Sequence, residues 1–473
     1  MKNIYTFLFL YITVISCNSV VNKNTELPNI IIILADDLGY ADVGFNGSKD
    51  IKTPHIDDIA KNGVIFSEGY VSYPVCGPSR AGLITGRYQD TFGFGKNPLF
   101  TPKDPNMGLP LSEQTIADML KLSNYKTFAA GKWHLGDHES LRPLKRGFDE
   151  FFGFLTGGHR YFPHEWDLED ETKVKSQGDA YRTKLLRNEQ RIEEKEYLTD
   201  ALSRESVNFI ERNADNPFFI YLAYNAPHGP LQATEKYLNR FQEIENKNRR
   251  TYAAMVSAMD DGIGSVISKL KEKGIYGNTI VYFLSDNGGR LRGDSDNGEL
   301  RGKKGNLFEG GIRVPFVMQW PDQIKGGQTF NKPVSSLDIF ATSKAITSPE
   351  ITSKNQLHGV NLIPFIKGEK KHSPHSYLFW RNGLRKNENE LRTEASAVRS
   401  EKFKFIKTKE VDALYNLKKE ISEKTNLKDK KKEMYDSLKN EYKKWSKTLM
   451  DPTFLGLDAN DQYNKLNPGR FKY

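Results

Sequence analysis

Cysteine is almost absent: the 473 residues hold two, Cys17 and Cys76. That count excludes a disulfide framework, so a chain of this length must be held together by packing and by whatever it binds. Long apolar runs are missing too. The N-terminal apolar stretch, residues 5–15, is too short to cross a bilayer stably. Nor does charge of one sign dominate, since 69 Lys and Arg stand against 60 Asp and Glu for a net +9. This mild basic excess suits a polyanionic partner without naming one. Its densest part, Lys418-Lys419 and residues 428–432, reads first as a solvated helix face. There is no internal repeat, and 37% hydrophobic with 27% charged residues is the composition of an ordinary globular chain. At roughly 100–200 residues per domain, the length implies two or three cores or one large α/β unit.

What is present begins at the N-terminus. Lys2 supplies a positive start, residues 5–15 an apolar run, and Val14-Ile15-Ser16-Cys17 a small-residue cleavage context. Ending at Cys rather than Ala, the segment resembles a bacterial lipoprotein signal. The resemblance implies export on a signal over residues 1–16, lipid on Cys17, and a polar tether over 17–27. The chain is then expected to be held to a membrane by its anchor, in the periplasm or at the outer membrane and cell surface. An ordinary signal peptide with a chance Cys is the plainer alternative.

Beyond the tether, Ile30-Ile31-Ile32-Ile33-Leu34 is the apolar, mostly β-branched run expected of a strand buried on both faces, and it ends at Asp36-Asp37. Residues 279–284 lead in the same way into Asp286-Asn287-Gly288-Gly289, and residues 218–223 into Asn225-Ala226-Pro227-His228. Open α/β sheets gather their ligands beyond the carboxyl ends of strands, so three such ends predict one convergent site. Helical periodicity over 53–62, 111–122, 197–213 and 250–273 alternates with these strands and predicts an α/β fold. From about residue 370 the chain turns polar. Short antiparallel strands within 396–407 and 413–417 and a helix over 427–448 predict a smaller C-terminal α+β subdomain, residues 370–473, after a main domain over 28–369. Residues 452–473 read as irregular.

Cys76-Gly77-Pro78-Ser79-Arg80, continued by Ala81-Gly82-Leu83-Ile84-Thr85-Gly86-Arg87, resembles the signature of the type I, formylglycine-dependent sulfatases of the alkaline phosphatase superfamily. The match covers most of residues 28–420 in motif order, and the chain resembles bacterial polysaccharide sulfatases. It implies an alkaline phosphatase-like fold, with a large mixed, mostly parallel sheet sandwiched by helices. It also implies oxidation of Cys76 to formylglycine by a formylglycine-generating or sulfatase-maturing enzyme. An aldehyde hydrate has two hydroxyls on one carbon: one attacks sulfur, and deprotonating the other expels sulfate, where a plain serine ester would be hard to hydrolyse.

Asp36, Asp37, Asp286 and Asn287 are oxygen donors delivered by two strand ends. Carboxylates about 4 Å apart repel by on the order of 4 kcal/mol per pair at an effective dielectric near 20, which calls for a cation. Oxygen ligation favours Ca2+ or Mg2+ over zinc. The resemblance selects one Ca2+, with the modified Cys76 as a further ligand. It also assigns Lys132 and Lys304 to the sulfate, His134 to the formylglycine diol, His228 to the leaving oxygen and Arg80 to the formylglycine oxygen. Lys132 and His134, two residues apart, share a face if their segment is extended. His159 and Arg160 in one loop, and Arg290 and Arg292 in another, are candidate contacts to an anionic sugar. Thr156 or His159 could fill a further polar contact to sulfate.

The expected activity is hydrolysis of sulfate esters on a sulfated polysaccharide or oligosaccharide, with an algal source expected and no nucleic-acid partner. The alternatives are a phosphomonoesterase or phosphodiesterase of the same superfamily, and a non-catalytic lipoprotein that binds sulfated glycans. Those esterases typically bind zinc through several His, and His is scarce beside the Asp clusters here.

Overall fold

The computed structural model describes residues 27–291, 294–384 and 393–472. Every residue of strand β1 (Asn29–Ala35) is buried, and its side chains alternate between two cores. Ile30, Ile32 and Leu34 enter one, and Ile31, Ile33 and Ala35 the other. A strand without a polar face needs cover on both sides. Each aliphatic side chain so buried contributes roughly 1.5–3 kcal/mol.

Nine further strands complete the sheet: β2 (Val64–Phe66), β3 (Lys126–Lys132), β4 (Glu150–Phe154), β5 (Leu185–Arg187), β6 (Gln190–Ile192), β7 (Phe218–Ala223), β8 (Thr279–Ser285), β9 (Phe316–Gln319) and β10 (Gln328–Phe330). Their order is β10-β2-β9-β8-β1-β7-β3-β4-β5-β6. The central run β8-β1-β7-β3-β4 is parallel, so these strands open their carboxyl ends on one edge. Helices α1 (Pro54–Lys61), α4 (Leu198–Asn213) and α5 (Lys247–Glu272) cover one face. Helices α2 (Cys76–Thr85), α3 (Ile116–Lys121) and α6 (Asp338–Thr347) cover the other. The expected mixed, mostly parallel sheet between helical layers is what the chain forms.

A second sheet, β11 (Leu378–Leu384), β12 (Thr393–Arg399), β13 (Phe403–Lys407) and β14 (Asp412–Asn416), is an antiparallel meander. One face sends Leu378, Trp380, Ala397, Ile406 and Tyr415 into the same core as α2 and α3. The other packs Val398, Phe405 and Leu414 on Tyr435 and Leu438 of α7 (Lys432–Ser446).

Several elements differ from their expected bounds for local reasons. The helix expected over 111–122 begins only at Ile116, because Thr115 and Asp118 form a reciprocal capping box there, and Leu111 is left exposed. The helix expected from 427 begins at Lys432, since Asn426 Oδ1 accepts from the N–H groups of Leu414 and Lys428 and holds a turn. The tail contains a short helix, Asn460–Leu466, where irregular chain was expected. Strand β3 was not apparent from its sequence Lys-Thr-Phe-Ala-Ala-Gly-Lys. Its Gly131 has φ +104, and a Cβ there would lie 2.0 Å from Ala223 O. The signal, the lipidation site Cys17 and most of the tether lie outside the described residues, as does Arg292. Among the described residues no helix is long and apolar enough to cross a membrane.

Candidate active site

Five parallel strands end together, and four of the ends supply the polar groups of the site. Asp36 and Asp37 follow β1, Asp286 and Asn287 follow β8, Lys132 closes β3 with His134 two residues on, and Asn225 and His228 follow β7. Cys76 enters from the side as the first residue of α2, all ten of whose residues are buried. The amino end of that helix carries the positive end of its dipole, which favours negative charge there, although Pro78 has no N–H and Ser79 N–H donates to Val75 O at 3.1 Å. Gly77 N–H is held by Asn97 Oδ1 at 2.8 Å.

The Cys76 sulfur lies 3.4 Å from Asp36 Oδ1, 4.0 Å from Asp37 Oδ1 and 3.0 Å from Lys304 Nζ. Lys304 Nζ also contacts Asp37 Oδ1 at 2.6 Å, and Lys132 Nζ contacts Asp36 Oδ2 at 2.5 Å. Arg80 is fully buried: Nε and Nη2 lie 2.9 and 2.8 Å from Asp286 Oδ2, and Nη1 donates to Lys132 O at 3.0 Å. His228 Nε2 is 3.7 Å from Asp37 Oδ2, and its Nδ1 is 2.6 Å from Gly229 O. A carbonyl can only accept, so Nδ1 carries the proton in the neutral ring and Nε2 is left to face the site.

Three carboxylates therefore face three side-chain cations, and their mutual repulsion is already offset. The case for a divalent ion rests instead on oxygens left over: Asp37 Oδ2 and Asn287 Oδ1 are buried without a hydrogen-bond donor. Buried oxygen acceptors of this kind fit a hard cation. Asp36, Asp37, Cys76 and His228 also bring ligand atoms within 4.8 Å of one another. Asp286 is more committed than its expected role implies, because Oδ1 accepts from Asp37 N–H at 3.2 Å and Oδ2 is taken by Arg80.

The electrostatics follow from burial among these charges. Burial and Asp36 push the Cys76 thiol up to about 12, so the unmodified side chain is protonated at neutral pH. Burial raises the Asp37 carboxyl, but Lys304 and His228 outweigh it and hold it low. Burial and Asp36 push Asp286 up to about 6. Burial drives His228 down to about 3, with Lys132 and Lys304 adding to the effect against the pull of Asp37. His134 is driven well below its ordinary value by burial and by Lys132 and Arg80. Asp37 and His134 sit at φ 65 and 56, a left-handed conformation that costs a side-chain-bearing residue on the order of 1 kcal/mol. His134 therefore does not continue an extended segment, and the simple alternation with Lys132 expected from their spacing does not apply.

One expected sugar contact, His159, is corrected. His159 is fully buried, with Nδ1 2.9 Å from Arg160 O and Nε2 2.8 Å from Thr183 O, and its ring packs between Phe154 and Trp166. Burial drives it to about 4, and it fastens a loop rather than meeting a ligand. Thr156 spends its hydroxyl on Gly158 O at 2.7 Å. Arg160 pairs with Glu165 at 3.4 Å. Arg290 reaches the site wall: a Cβ on Gly229, beside His228, would lie 3.0 Å from Arg290 Nη1. Two residues were missed. Asn225 is buried with neither Oδ1 nor Nδ2 partnered, and Tyr181 lies close enough to feel the charges of Lys132, Cys76, Asp36 and Lys304. Asn225 could have been found from its place after β7, whereas Tyr181 lies in a polar insertion without any local pattern.

Comparison with known proteins agrees with this geometry. A family model described as sulfatase matches residues 28–347, and one for the C-terminal part of N-sulphoglucosamine sulphohydrolase matches residues 302–448. Arylsulfatase J of Mus musculus is 37% identical over 343 residues, 72% of this chain and 55% of that protein. N-acetylgalactosamine-6-sulfatase of Homo sapiens is 34% identical over 354 residues, 71% of this chain and 65% of that protein. The chain thus spans about half to two thirds of these curated relatives. The crystal structure of Ps i-CgsB in complex with k-i-k-neocarrahexaose matches with a TM-score of 0.86 at 41% identity, covering 94% of this chain and 98% of that one.

Proposed function

Since the chain belongs to the sulfatase family, we propose that it hydrolyses sulfate esters on a sulfated carbohydrate, with Cys76 in its oxidised form as the nucleophilic residue and Ca2+ as the metal. The observation that carries this reading is the setting of Cys76, whose sulfur marks the one point contacted by Asp36, Asp37 and Lys304 at the amino end of α2. A formylglycine there would supply a hydrated aldehyde, able to bond sulfur through one hydroxyl and to release sulfate through the other. Asp36, Asp37, Asn287 and Asp286 would hold the cation, whose charge would stabilise the sulfate oxygens as negative charge shifts.

The chain's own residues supply the rest. Lys132 and Lys304 flank the nucleophile from opposite carboxylates and bind sulfate oxygens between them, while Arg80 fixes Asp286 and the end of β3. His228, with Nδ1 tied to Gly229 O, presents Nε2 to the leaving oxygen. Burial, and after it both lysines, hold its proton affinity down. A sulfate group seated between the lysines would offset their share of that effect and favour the imidazolium that donates. His134 would accept the proton whose loss frees sulfate.

For the substrate, we favour an oligosaccharide of the carrageenan class, because the relative solved with k-i-k-neocarrahexaose matches nearly the whole chain. Arg290, beside His228, supports an anionic sugar. Export on the N-terminal signal, a lipid on Cys17 and maturation by a formylglycine-generating or sulfatase-maturing enzyme belong to the same proposal. Loss of fatty-acid labelling in Cys17→Ala tests the anchor.

Two measurements test the activity. Mass spectrometry of the Cys76 peptide from the native host should show a mass about 18 Da below the thiol form, and sulfate should be released from carrageenan oligosaccharides in preference to ulvan, fucoidan or glycosaminoglycan fragments. A persistent thiol, or turnover confined to simple aryl sulfates, overturns the reading.

A further inference from the structure

The inward side chains of β11 track the segment leading to Cys76. Trp380 Nε1 donates to Val71 O at 2.7 Å, and two residues further along both segments Tyr73 OH, whose single proton is shared with Gly95 O at 2.9 Å, lies 3.2 Å from Asn382 Oδ1. The other end of the Asn382 carboxamide, Nδ2, donates to Gly305 O at 2.9 Å. That acceptor fixes which way the amide points. Gly305 follows Lys304, and its own N–H donates to Pro74 O at 2.8 Å. One side chain of the small sheet therefore bridges the segment that carries the nucleophile and the loop that carries the second lysine.

Four other bonds hold the same stretch to the small sheet and to Glu423 just beyond it. Arg301 Nη1 donates to Tyr415 OH at 3.1 Å and to Glu423 O at 2.9 Å. Glu309 N–H donates to Glu423 Oε2 at 2.7 Å, and Glu309 Oε1 meets the fully buried Lys404 at 2.9 Å. Lys304 is held at its tip by Asp37 and at its N–H by Gly289 O, and Gly305, at φ +85, has no atom within 4 Å of where a Cβ would project. The backbone at Lys304 is held by the Lys304 N–H to Gly289 O bond at 3.0 Å, by Gly305 N–H to Pro74 O and by Asn382 Nδ2 to Gly305 O, and the last of these is the one made by a side chain.

We propose that Asn382 is a positioning residue for the reaction: by tying Tyr73 to Gly305 it sets Lys304 Nζ against the side chain of residue 76, so the C-terminal sheet is part of the catalytic apparatus. This rests on the assignment of Lys304 as a sulfate-binding cation. Misplacing such a group by about 1 Å is enough to cost on the order of 100-fold in rate. A merely structural Asn would act on stability and on every function alike.

The test is a double-mutant cycle on the full, matured chain, using carrageenan oligosaccharide turnover and, separately, inorganic sulfate binding by calorimetry. Asn382→Ala should lower kcat about 10-fold or more with KM changed less than about 3-fold, and should weaken sulfate binding. In the Lys304→Ala background the same substitution should cost less than about 2-fold, because its target is gone. Asn382→Asp, of equal size, keeps the acceptor for Tyr73 but turns an oxygen toward Gly305 O, and should fall as far as Ala. It carries the comparison if Asn382→Ala does not fold. Equal losses in both backgrounds, or no loss in either variant, overturn the proposal. Wild-type enzyme without sulfate release while sulfate binding still depends on Asn382 would instead sink the activity assignment and leave the positioning role standing.

Discussion

Arg80 Nε donates to Asp286 Oδ2 at 2.9 Å while Nη2 lies 2.8 Å from the same oxygen, in a fully buried ion pair. Removing one partner of a buried pair strands the other charge and costs about 3–5 kcal/mol. Lys304, by contrast, keeps 19% of its side chain exposed. Arg80→Ala and Lys304→Ala should therefore separate. Both should lose about 100-fold or more in kcat/KM, as expected for preorganised charge, but only Arg80→Ala should lower the melting temperature steeply. Arg80→Lys should recover little, since an ammonium cannot reproduce the fork. Thermal denaturation of the three variants checks this, and equal melting temperatures for Arg80→Ala and Lys304→Ala would contradict it.

Gly157 lies against the His134 ring: a Cβ at this position would be 2.7 Å from Nε2 and 2.8 Å from Cε1. His134 already sits at a left-handed φ and has little freedom to retreat without turning its ring. Gly157→Ala should lower kcat by at least about 10-fold while leaving the fold intact, because the obstructed atoms belong to a side chain and not to backbone. Steady-state kinetics with circular dichroism of the same preparation would decide it, and full activity in Gly157→Ala would show that His134 tolerates displacement.

The orphan oxygens Asp37 Oδ2 and Asn287 Oδ1 predict that a hard cation stabilises the fold. A ligand bound only by the native state at 100 times its dissociation constant adds about 2.7 kcal/mol. Chelation should lower the melting temperature by a few degrees, Ca2+ should restore it, and Asp37→Ala should melt alike with and without Ca2+. A calcium response surviving in Asp37→Ala would place the ion elsewhere.

Much of this site was legible because strand ends announce themselves. The apolar runs before Asp36, Asn225 and Asp286 are strands β1, β7 and β8, and parallel pairing alone brings their ends together. His159 misled because a histidine in a Gly-rich loop looks available, while the two carbonyls that claim it, on Arg160 and Thr183, emerge only once the loop has folded. Asn382 carried no local signal. Its partners Tyr73 and Gly305 are 309 and 77 residues away, and β11, with a Gly and an Arg among its seven residues, did not stand out as a strand. Positions whose role lies in a long-range contact are hidden for that reason, whereas groups that must stand at a strand end are not.

Asp137 supplies a pH-dependent prediction away from the metal ligands. Its Oδ1 is buried without a partner and its Oδ2 accepts only a long bond, 3.3 Å, from Thr101 N–H. Burial pushes its carboxyl from the ordinary 3.8 up to about 7, against the pull of Thr101 N–H and of Arg142, Arg191 and Arg470. Between those two values the folded chain holds a proton that the unfolded chain has released, so stability falls as pH rises through this window and levels off above about 7. Asp137→Asn keeps an acceptor for Thr101 and removes the titration. It should melt close to wild type near pH 4 and be more stable by on the order of 2 kcal/mol at pH 8. Denaturation curves across that range check the sign, and a variant less stable than wild type at pH 8 would mean that the ionised carboxylate is satisfied by the three nearby arginines.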